Sequence, residues 1–433
     1  MPQTRGEPRP GFTLRLGLLV FPALLLVFGL ALLAVAREQP LEWETLGGAA
    51  IFGAALVAVG IWVWRRLPLS DPFLLPLAAF LAAFGQVMTS RLVPSLGPRQ
   101  GIWVLLGFVG LAVVSLLPSA GWLRRYRYTW AILGLLLLGV TLVAGTDLNE
   151  SGARLWLVLG PINIQPTEFV KLLLVVFLAA YLEDYRELLA TAGWRLGPLW
   201  VPPIPYLVPI LAMAGAALVV FVIQRDLGPA LLFSSVLLAM LYLASGRASY
   251  VVLGLTVILL GGFVADRLFS HVHIRVETWL DPWSRAQESG YQLVQALYAL
   301  GSGGLFGTGL AQGSPRYIPA VHTDFVIAAI GEELGLAGSL GVVALFVLFT
   351  ARGFYIALRA RSGFNALLAA GLTATFALQA LIILAGALKL IPLTGITLPF
   401  VSYGGSSVLA NFFLVGLLLI ISQEEEEART RGD

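Results

Sequence analysis

From Gln224 to Leu268 the chain reads QRDLGPALLFSSVLLAMLYLASGRASYVVLGLTVILLGGFVADRL. Two apolar runs, 227–245 and 249–268, reach the roughly 20 residues a helix needs to cross a bilayer, and a polar turn at Gly246 and Arg247 separates them. The period-2 alternation of a membrane β-strand is missing, so the spans are helical. Ahead of them, Arg225 and Asp226 precede Gly228-Pro229. That pattern suggests a broken or re-entrant turn, whose backbone at membrane depth would line a cavity; a tight hairpin with its charges in water is the alternative.

The same pattern extends outward in both directions. With Gly, Pro and charged residues as punctuation, further spans fall near 14–36, 47–64, 72–90, 100–117, 127–145, 166–182, 204–223, 323–350, 364–387 and 405–422. The reading is an all-α polytopic membrane protein with about 12 transmembrane helices. Of the 433 residues, 58% are hydrophobic and 12% charged, about half the charged fraction of a soluble domain. The first run, Leu14 to Ala36, follows a basic start but is longer than a signal-peptide core, so it is read as an uncleaved span.

The net charge of +3 is no nucleic-acid signal, because the arginines cluster between apolar runs. Arg65/Arg66, Arg124/Arg125/Arg127, Arg186/Arg195 and Arg352/Arg359/Arg361 all fall on one side when the N-terminus is cytoplasmic, as the positive-inside rule prefers. Both termini are then cytoplasmic. Segments 146–165, 269–322 and 388–404 lie outside. The loop 269–322, about fifty residues long, is too long for a plain connection, and Trp279, Trp283, Tyr291 and Tyr298 predict that it is ordered. The tail Glu424–Asp433 reads as a solvated end. With no cysteine, disulfides and thiolate chemistry are excluded.

Charges inside the spans need a reason, since one at a helix centre costs roughly 2.5–3.5 kcal/mol or more. Glu168 and Lys171 share a helix face and can pair, as a site or as a packing lock. Glu332 and Glu333, about nine residues into the span from Thr323, lie roughly 14 Å deep at 1.5 Å per residue; at least one should face an aqueous or protein interior. His271, His273, His322 and Asp324 lack the spacing of a zinc site. Tyr403, Gly404, Gly405, Ser406 and Ser407 could offer backbone N–H groups to an anion, or serve as a turn and packing face. Gly301–Gly309 is equally open and forms no Walker or Rossmann loop. Residues alone thus describe a membrane cavity with acids and bases under a large loop, which fits a transporter nearly as well as an enzyme.

Taken together, these segments resemble the SEDS (shape, elongation, division and sporulation) family of peptidoglycan polymerases, the RodA/FtsW-like proteins. The matching pieces run from Gly152-Ala153-Arg154-Leu155-Trp156 through Gln165-Pro166-Thr167-Glu168-Phe169-Val170-Lys171 and Gln224-Arg225-Asp226-Leu227-Gly228. They continue with Ser289-Gly290-Tyr291-Gln292-Leu293-Val294-Gln295, Gly301-Ser302-Gly303-Gly304-Leu305, His322-Thr323-Asp324-Phe325, Glu332-Glu333-Leu334-Gly335 and Leu398-Pro399-Phe400-Val401-Ser402-Tyr403-Gly404-Gly405-Ser406-Ser407. The resemblance covers about 72–422 and implies a ten-helix core over 71–423, an N-terminal addition of two helices within 1–70, and a charged tail at 424–433. Thr394-Gly395 leans toward RodA-like members. By resemblance, Arg154, Glu168, Lys171, Arg225, Asp226, Tyr291, Gln292, Gln295, His322, Asp324, Glu332, Glu333 and the Ser402–Ser407 run are the expected substrate-binding set.

The family polymerises lipid II, the disaccharide-pentapeptide on undecaprenyl pyrophosphate, outside the bacterial inner (plasma) membrane. The resemblance implies a class B penicillin-binding protein as transpeptidase partner, surrounding membrane lipids, Mg²⁺ or Mn²⁺ as the ion for a leaving pyrophosphate, and no organic cofactor. One position departs. The family's outer loop reads like Asp-Pro-x-x-Asp-Pro-x-Gly-x-Gly-Tyr, with the second Asp taken as essential, whereas here Asp281-Pro282-Trp283-Ser284 is followed by Arg285. An arginine has no acceptor and cannot be a base, but it can hold pyrophosphate. Asp281 and Glu288, four before and three after Arg285, are the candidate bases, on one face if 281–288 is helical. A non-catalytic scaffold or regulator of a cell-wall synthase, and a lipid-linked precursor binder or transporter, are the other two readings.

Overall fold

In hydrocarbon a segment must satisfy its own backbone hydrogen bonds, and the apolar runs do so as helices. The computed structural model describes residues 11–40, 43–147, 153–160, 162–191, 194–196, 199–201 and 204–432. Its elements are α1 (Phe12–Ala36), α2 (Trp43–Arg66), α3 (Leu74–Leu92), α4 (Gly97–Val114), α5 (Ala120–Arg125), α6 (Arg127–Ala144), α7 (Thr167–Thr191), α8 (Ile204–Ile223), α9 (Leu227–Ser245), α10 (Ala248–Leu268), α11 (Ser270–Leu280), α12 (Tyr291–Ser302), α13 (Val326–Arg359), α14 (Gly363–Ala387) and α15 (Gly405–Arg431). Two antiparallel hairpins, β1 (Leu157–Leu159) with β2 (Ile162–Ile164) and β3 (Trp194–Leu196) with β4 (Leu199–Val201), are minor additions. Among the described residues, 11 helices are long and apolar enough to span a membrane. A twelfth, α7, is 25 residues long but carries Glu168, Lys171, Glu183, Asp184, Arg186 and Glu187.

Helices α7, α9 and α14 pack mutually at the centre; α13 lies against α14 and α3, and α15 against α4. Alanines 78, 79, 82 and 83 of α3 are each fully buried, the small-residue device that brings membrane helices close. Gly85 continues it, because a Cβ there would overlap the backbone of Phe400 and Val401. Helices α1 and α2 pack on α3 and α4 from outside.

Several arginines of the clusters are tied at one end of the bundle. Arg352 pairs with Asp71 through Nε at 3.0 Å, Arg124 with Asp184 at 2.6 Å, and Arg15 donates to the carbonyl of Ser70 at 2.9 Å. The run from Glu424, exposed at 429–432, is packed at its start. Helix α15 continues to Arg431 because Glu424 accepts the N–H of Ala120 and Glu425 that of Arg361, both at 2.6 Å, while Asn365 donates to both glutamates at 2.9 Å.

Three further local expectations change. With α8 and α9 each full-length, 224–226 is a tight hairpin at the bundle end rather than a re-entrant break; Gln224 and Asp226 are buried in it all the same. Segment 281–290 is a series of turns, not a helix, so Asp281, Arg285 and Glu288 share no helical face. The span expected from 323 begins at Val326 and is broken at Gly335, where φ is 68° and ψ −167°. The 269–322 loop is ordered, as its aromatics predicted, around α11 and α12.

Candidate functional site

The site grows from the first turn of α7. Lys171 is 9% exposed and donates to Glu168 Oε2 at 2.5 Å and to Gln379 Oε1 of α14 at 2.7 Å. Gln379 passes the chain on, donating to the carbonyl of Thr397 at 2.9 Å. Thr397 donates to Ser407 Oγ at 2.8 Å, and Asn411 closes onto Ser407 from one turn further along α15. A continuous polar strip thus crosses from α7 through α14 to the N-terminus of α15. Each partner answers another, which lets a cation and an acid remain inside an apolar bundle. A cleft beside it is lined by Glu168, Lys171, Phe221, Pro229, Phe233 and Gln379.

At the loop end, three segments close over this strip. Arg275 of α11 donates to the carbonyl of Leu393 at 3.1 Å and lies within electrostatic reach of both Asp226 and Asp324. Burial pushes the Asp226 carboxyl up to about 7, with Arg275 opposing and Glu168 reinforcing the shift. Burial likewise pushes Asp324 up to about 6, against a hydrogen bond from Thr323 and the pull of Arg275. The turn before α15 is sewn to the approach of α13: Ser402 Oγ donates to the carbonyl of Thr323 at 2.5 Å, and the Tyr403 N–H to that of His322 at 2.8 Å. Ser406 Oγ accepts the Gln165 N–H at 2.9 Å, and Gly405 packs so tightly on Trp103 that a Cβ would overlap the indole.

The expected residues therefore separate into groups. Glu168, Lys171, Ser406 and Ser407 are joined by the strip and its neighbours, and Asp226, His322, Asp324, Ser402 and Tyr403 lie at its mouth. Arg225 is exposed at φ 58°. Arg154 is exposed on the segment leading to β1. Gln292 holds the carbonyl of Pro319 at 2.7 Å, while Tyr291 and Gln295 are half-buried on α12. Glu332 and Glu333 face protein rather than water: Glu332 accepts the Ser314 N–H at 2.7 Å and Glu333 that of Ala311 at 3.1 Å. Gln379, Thr397, Arg275 and Arg91 were not anticipated. Gln379 is an amide in the middle of an apolar span, which is itself a signal; Arg275 carries none in the sequence.

Around Arg285, Asp281 Oδ1 accepts the N–H groups of Trp283 and Ser284 at 3.2 and 3.3 Å, Glu288 is exposed, and Glu277 of α11 pairs with Arg285 at 2.8 Å. Among the described residues no three His, Cys, Asp or Glu side chains converge on a metal-sized centre.

Comparison with known proteins places the chain in a family. The FtsW/RodA/SpoVE model, described as cell cycle protein, matches residues 77–427. The chain is 40% identical to the peptidoglycan glycosyltransferase RodA of Mycobacterium tuberculosis over 94% of this chain and 89% of that one. It is 35% identical to the stage V sporulation protein E of Bacillus subtilis over 75% and 86%. A structure described as the structural coordination of polymerization and crosslinking by a peptidoglycan synthase complex superposes with a TM-score of 0.68 at 29% identity, covering 82% of this chain and 98% of that one. The rod shape determining protein RodA of Thermus thermophilus does so at 0.58 and 28%, covering 82% and 97%. This chain belongs to the FtsW/RodA/SpoVE family of cell cycle proteins, the SEDS family that its motifs resemble.

Proposed function

We propose that the chain is a peptidoglycan glycosyltransferase that polymerises lipid II in the bacterial inner membrane, with the loop end outside, both termini cytoplasmic and a class B penicillin-binding protein as partner. The observation that carries this reading is the buried strip from Glu168 and Lys171 to Ser407, capped at the loop end by Asp226, Asp324 and Arg275. A lipid-linked sugar needs such a place: apolar walls for the lipid and fixed polar groups at one membrane surface. The glycosyltransferase names of the relatives, and a structural neighbour that is a synthase complex, support the same reading.

In the reaction a carboxylate takes the proton of the acceptor sugar's hydroxyl as its oxygen bonds to the donor's anomeric carbon. The anomeric carbon–oxygen bond to the pyrophosphate breaks, and its electron pair leaves on undecaprenyl pyrophosphate. Arg285 is suited to meet that charge. Asp281 and Glu288 remain proposed bases, and Glu277 joins them because it shares Arg285. The described residues form no cage for Mg²⁺ or Mn²⁺; either would accompany the substrate's pyrophosphate.

The test is lipid II polymerisation by purified protein with its candidate transpeptidase partner. Wild type should make glycan, and the variant lacking the base among Asp281→Ala, Glu288→Ala and Glu277→Gln should lose about 10²–10⁴-fold. Folded, partner-bound wild type that makes no glycan would overturn the enzymatic reading in favour of a scaffold. Full activity in all three variants and in their combination would remove the base from this loop.

A further inference from the structure

Helices α1 and α2 precede the family match, which starts at residue 77, yet α1 reaches the loop end through one side chain. Arg37, just past the end of α1, donates from Nη2 to the carbonyls of Ser90 and Arg91, each at 3.0 Å. These belong to the last turn of α3, whose carbonyls have no partner within the helix. Arg91 in turn reaches Glu333 at 2.6 Å and the carbonyl of Gly313 at 3.0 Å.

Glu333 stands just before the break in α13, and the 303–314 segment fills that break. The Thr308 and Gly309 N–H groups donate to the carbonyls of Glu332 and Glu333 at 2.9 and 3.0 Å. Beyond Gly335, the Leu336 and Ala337 N–H groups donate to Gly304 and Leu305 at 3.0 Å. With Ala311 and Ser314 held by the two carboxylates, the segment hangs on the short first part of α13 and on Arg91. Its continuation delivers His322 and Asp324 to the mouth of the site.

We propose that Arg37 and Arg91 are positioning residues for glycan synthesis, by which the N-terminal helix pair braces the 303–324 connection through the end of α3 and Glu333. The pair is then a strut rather than a passive addition. The brace explains why a glycine-rich segment with no backbone regularity is held at many points, and why a second arginine sits beside Arg91: its charge rests on the carbonyl end of α3, where a helix favours cations. The effect on turnover rests on the glycosyltransferase reading; the effect on the segment does not.

The experiment is hydrogen–deuterium exchange and steady-state turnover on the full chain in nanodiscs with its transpeptidase partner, comparing wild type, Arg37→Ala and Arg37→Lys. Arg37→Ala leaves no buried charge unpaired and should fold. Amides in 303–314 should exchange about fivefold faster or more, the worth of roughly one hydrogen bond, while α7 and α14 keep wild-type protection. The turnover number should fall several-fold with KM little changed, and Arg37→Lys should recover part of both. Wild-type exchange in 303–314, or faster exchange with unchanged turnover, overturns the proposal. A wild type that makes no glycan defeats the glycosyltransferase reading instead, and the exchange still decides whether the brace exists.

Discussion

Asp226 is a carboxylate at the N-terminal end of α9 that is 8% exposed, and its Oδ2 has no hydrogen-bond partner among the described residues. A group so placed prefers its proton, which is why its pKa rises to about 7 from 3.8. A folded pKa above the unfolded one means the folded state binds the proton more tightly, so the contribution is complete below about pH 4 and is lost as pH rises through about 7. Asp226→Asn removes that loss. Thermal unfolding in detergent should show the variant gaining on wild type between pH 4 and 7, by a few kcal/mol at most above pH 7. Parallel curves for the two proteins would show that the carboxylate is ionised at no cost. At this scale the sequence reveals a local pair and not its distant partner. Glu168 and Lys171 were paired from spacing alone, since i and i+3 share a helix face, but Gln379, which completes the coordination of Lys171, lies 208 residues away and no local pattern reaches it.

At the scale of the element, α13 shows how a helix can be read correctly and its interruption missed. The run after Val326 is apolar and helix-compatible, and Gly335 alone is a weak signal because membrane helices tolerate glycine. What breaks the helix is the segment 303–309, which supplies replacement partners on both sides of the gap. Gly335 has φ 68° and ψ −167°, a conformation essentially limited to glycine, and a Cβ would overlap the backbone of Leu305 and Gly307. Gly335→Ala should therefore destabilise by at least about 1–3 kcal/mol, whereas Gly341→Ala, with open space around its Cβ, should be neutral or slightly stabilising. Melting temperatures of the two variants in the same detergent check this; equal values would mean that the break relaxes without cost. The end of α15 follows the same logic. Composition marks Glu424–Asp433 as solvated, and the N–H groups of Ala120 and Arg361 together with the Asn365 amide, brought in from distant segments, make the first two of those glutamates structural. The helix that would align Asp281, Arg285 and Glu288 does not form, for a local reason: Asp281 caps the N–H groups of Trp283 and Ser284 and so competes with helix formation.

For the whole molecule, the helix count and the gathering of arginines at one end were readable, because the cost of desolvating backbone and charge leaves a chain this apolar few alternatives. That end is knitted across distant segments by Asp71–Arg352, Glu424–Ala120 and Glu425–Arg361, whereas the opposite end holds the turns and short helices of the site. Positive-inside bias orients such a molecule with the arginines in the cytoplasm, and the proposed chemistry requires the site on the other side, where glycan is laid down. The two requirements agree, and the chain has no native cysteine, so the orientation can be tested directly. Gln287→Cys, exposed in the turns after α11, and Ser362→Cys, exposed before α14, place one thiol at each end. In intact spheroplasts a membrane-impermeant maleimide should label Gln287→Cys, and it should label Ser362→Cys only after the membrane is opened. Labelling of Ser362→Cys in intact cells would put the arginine end outside and remove the proposed site from the compartment where its product is needed.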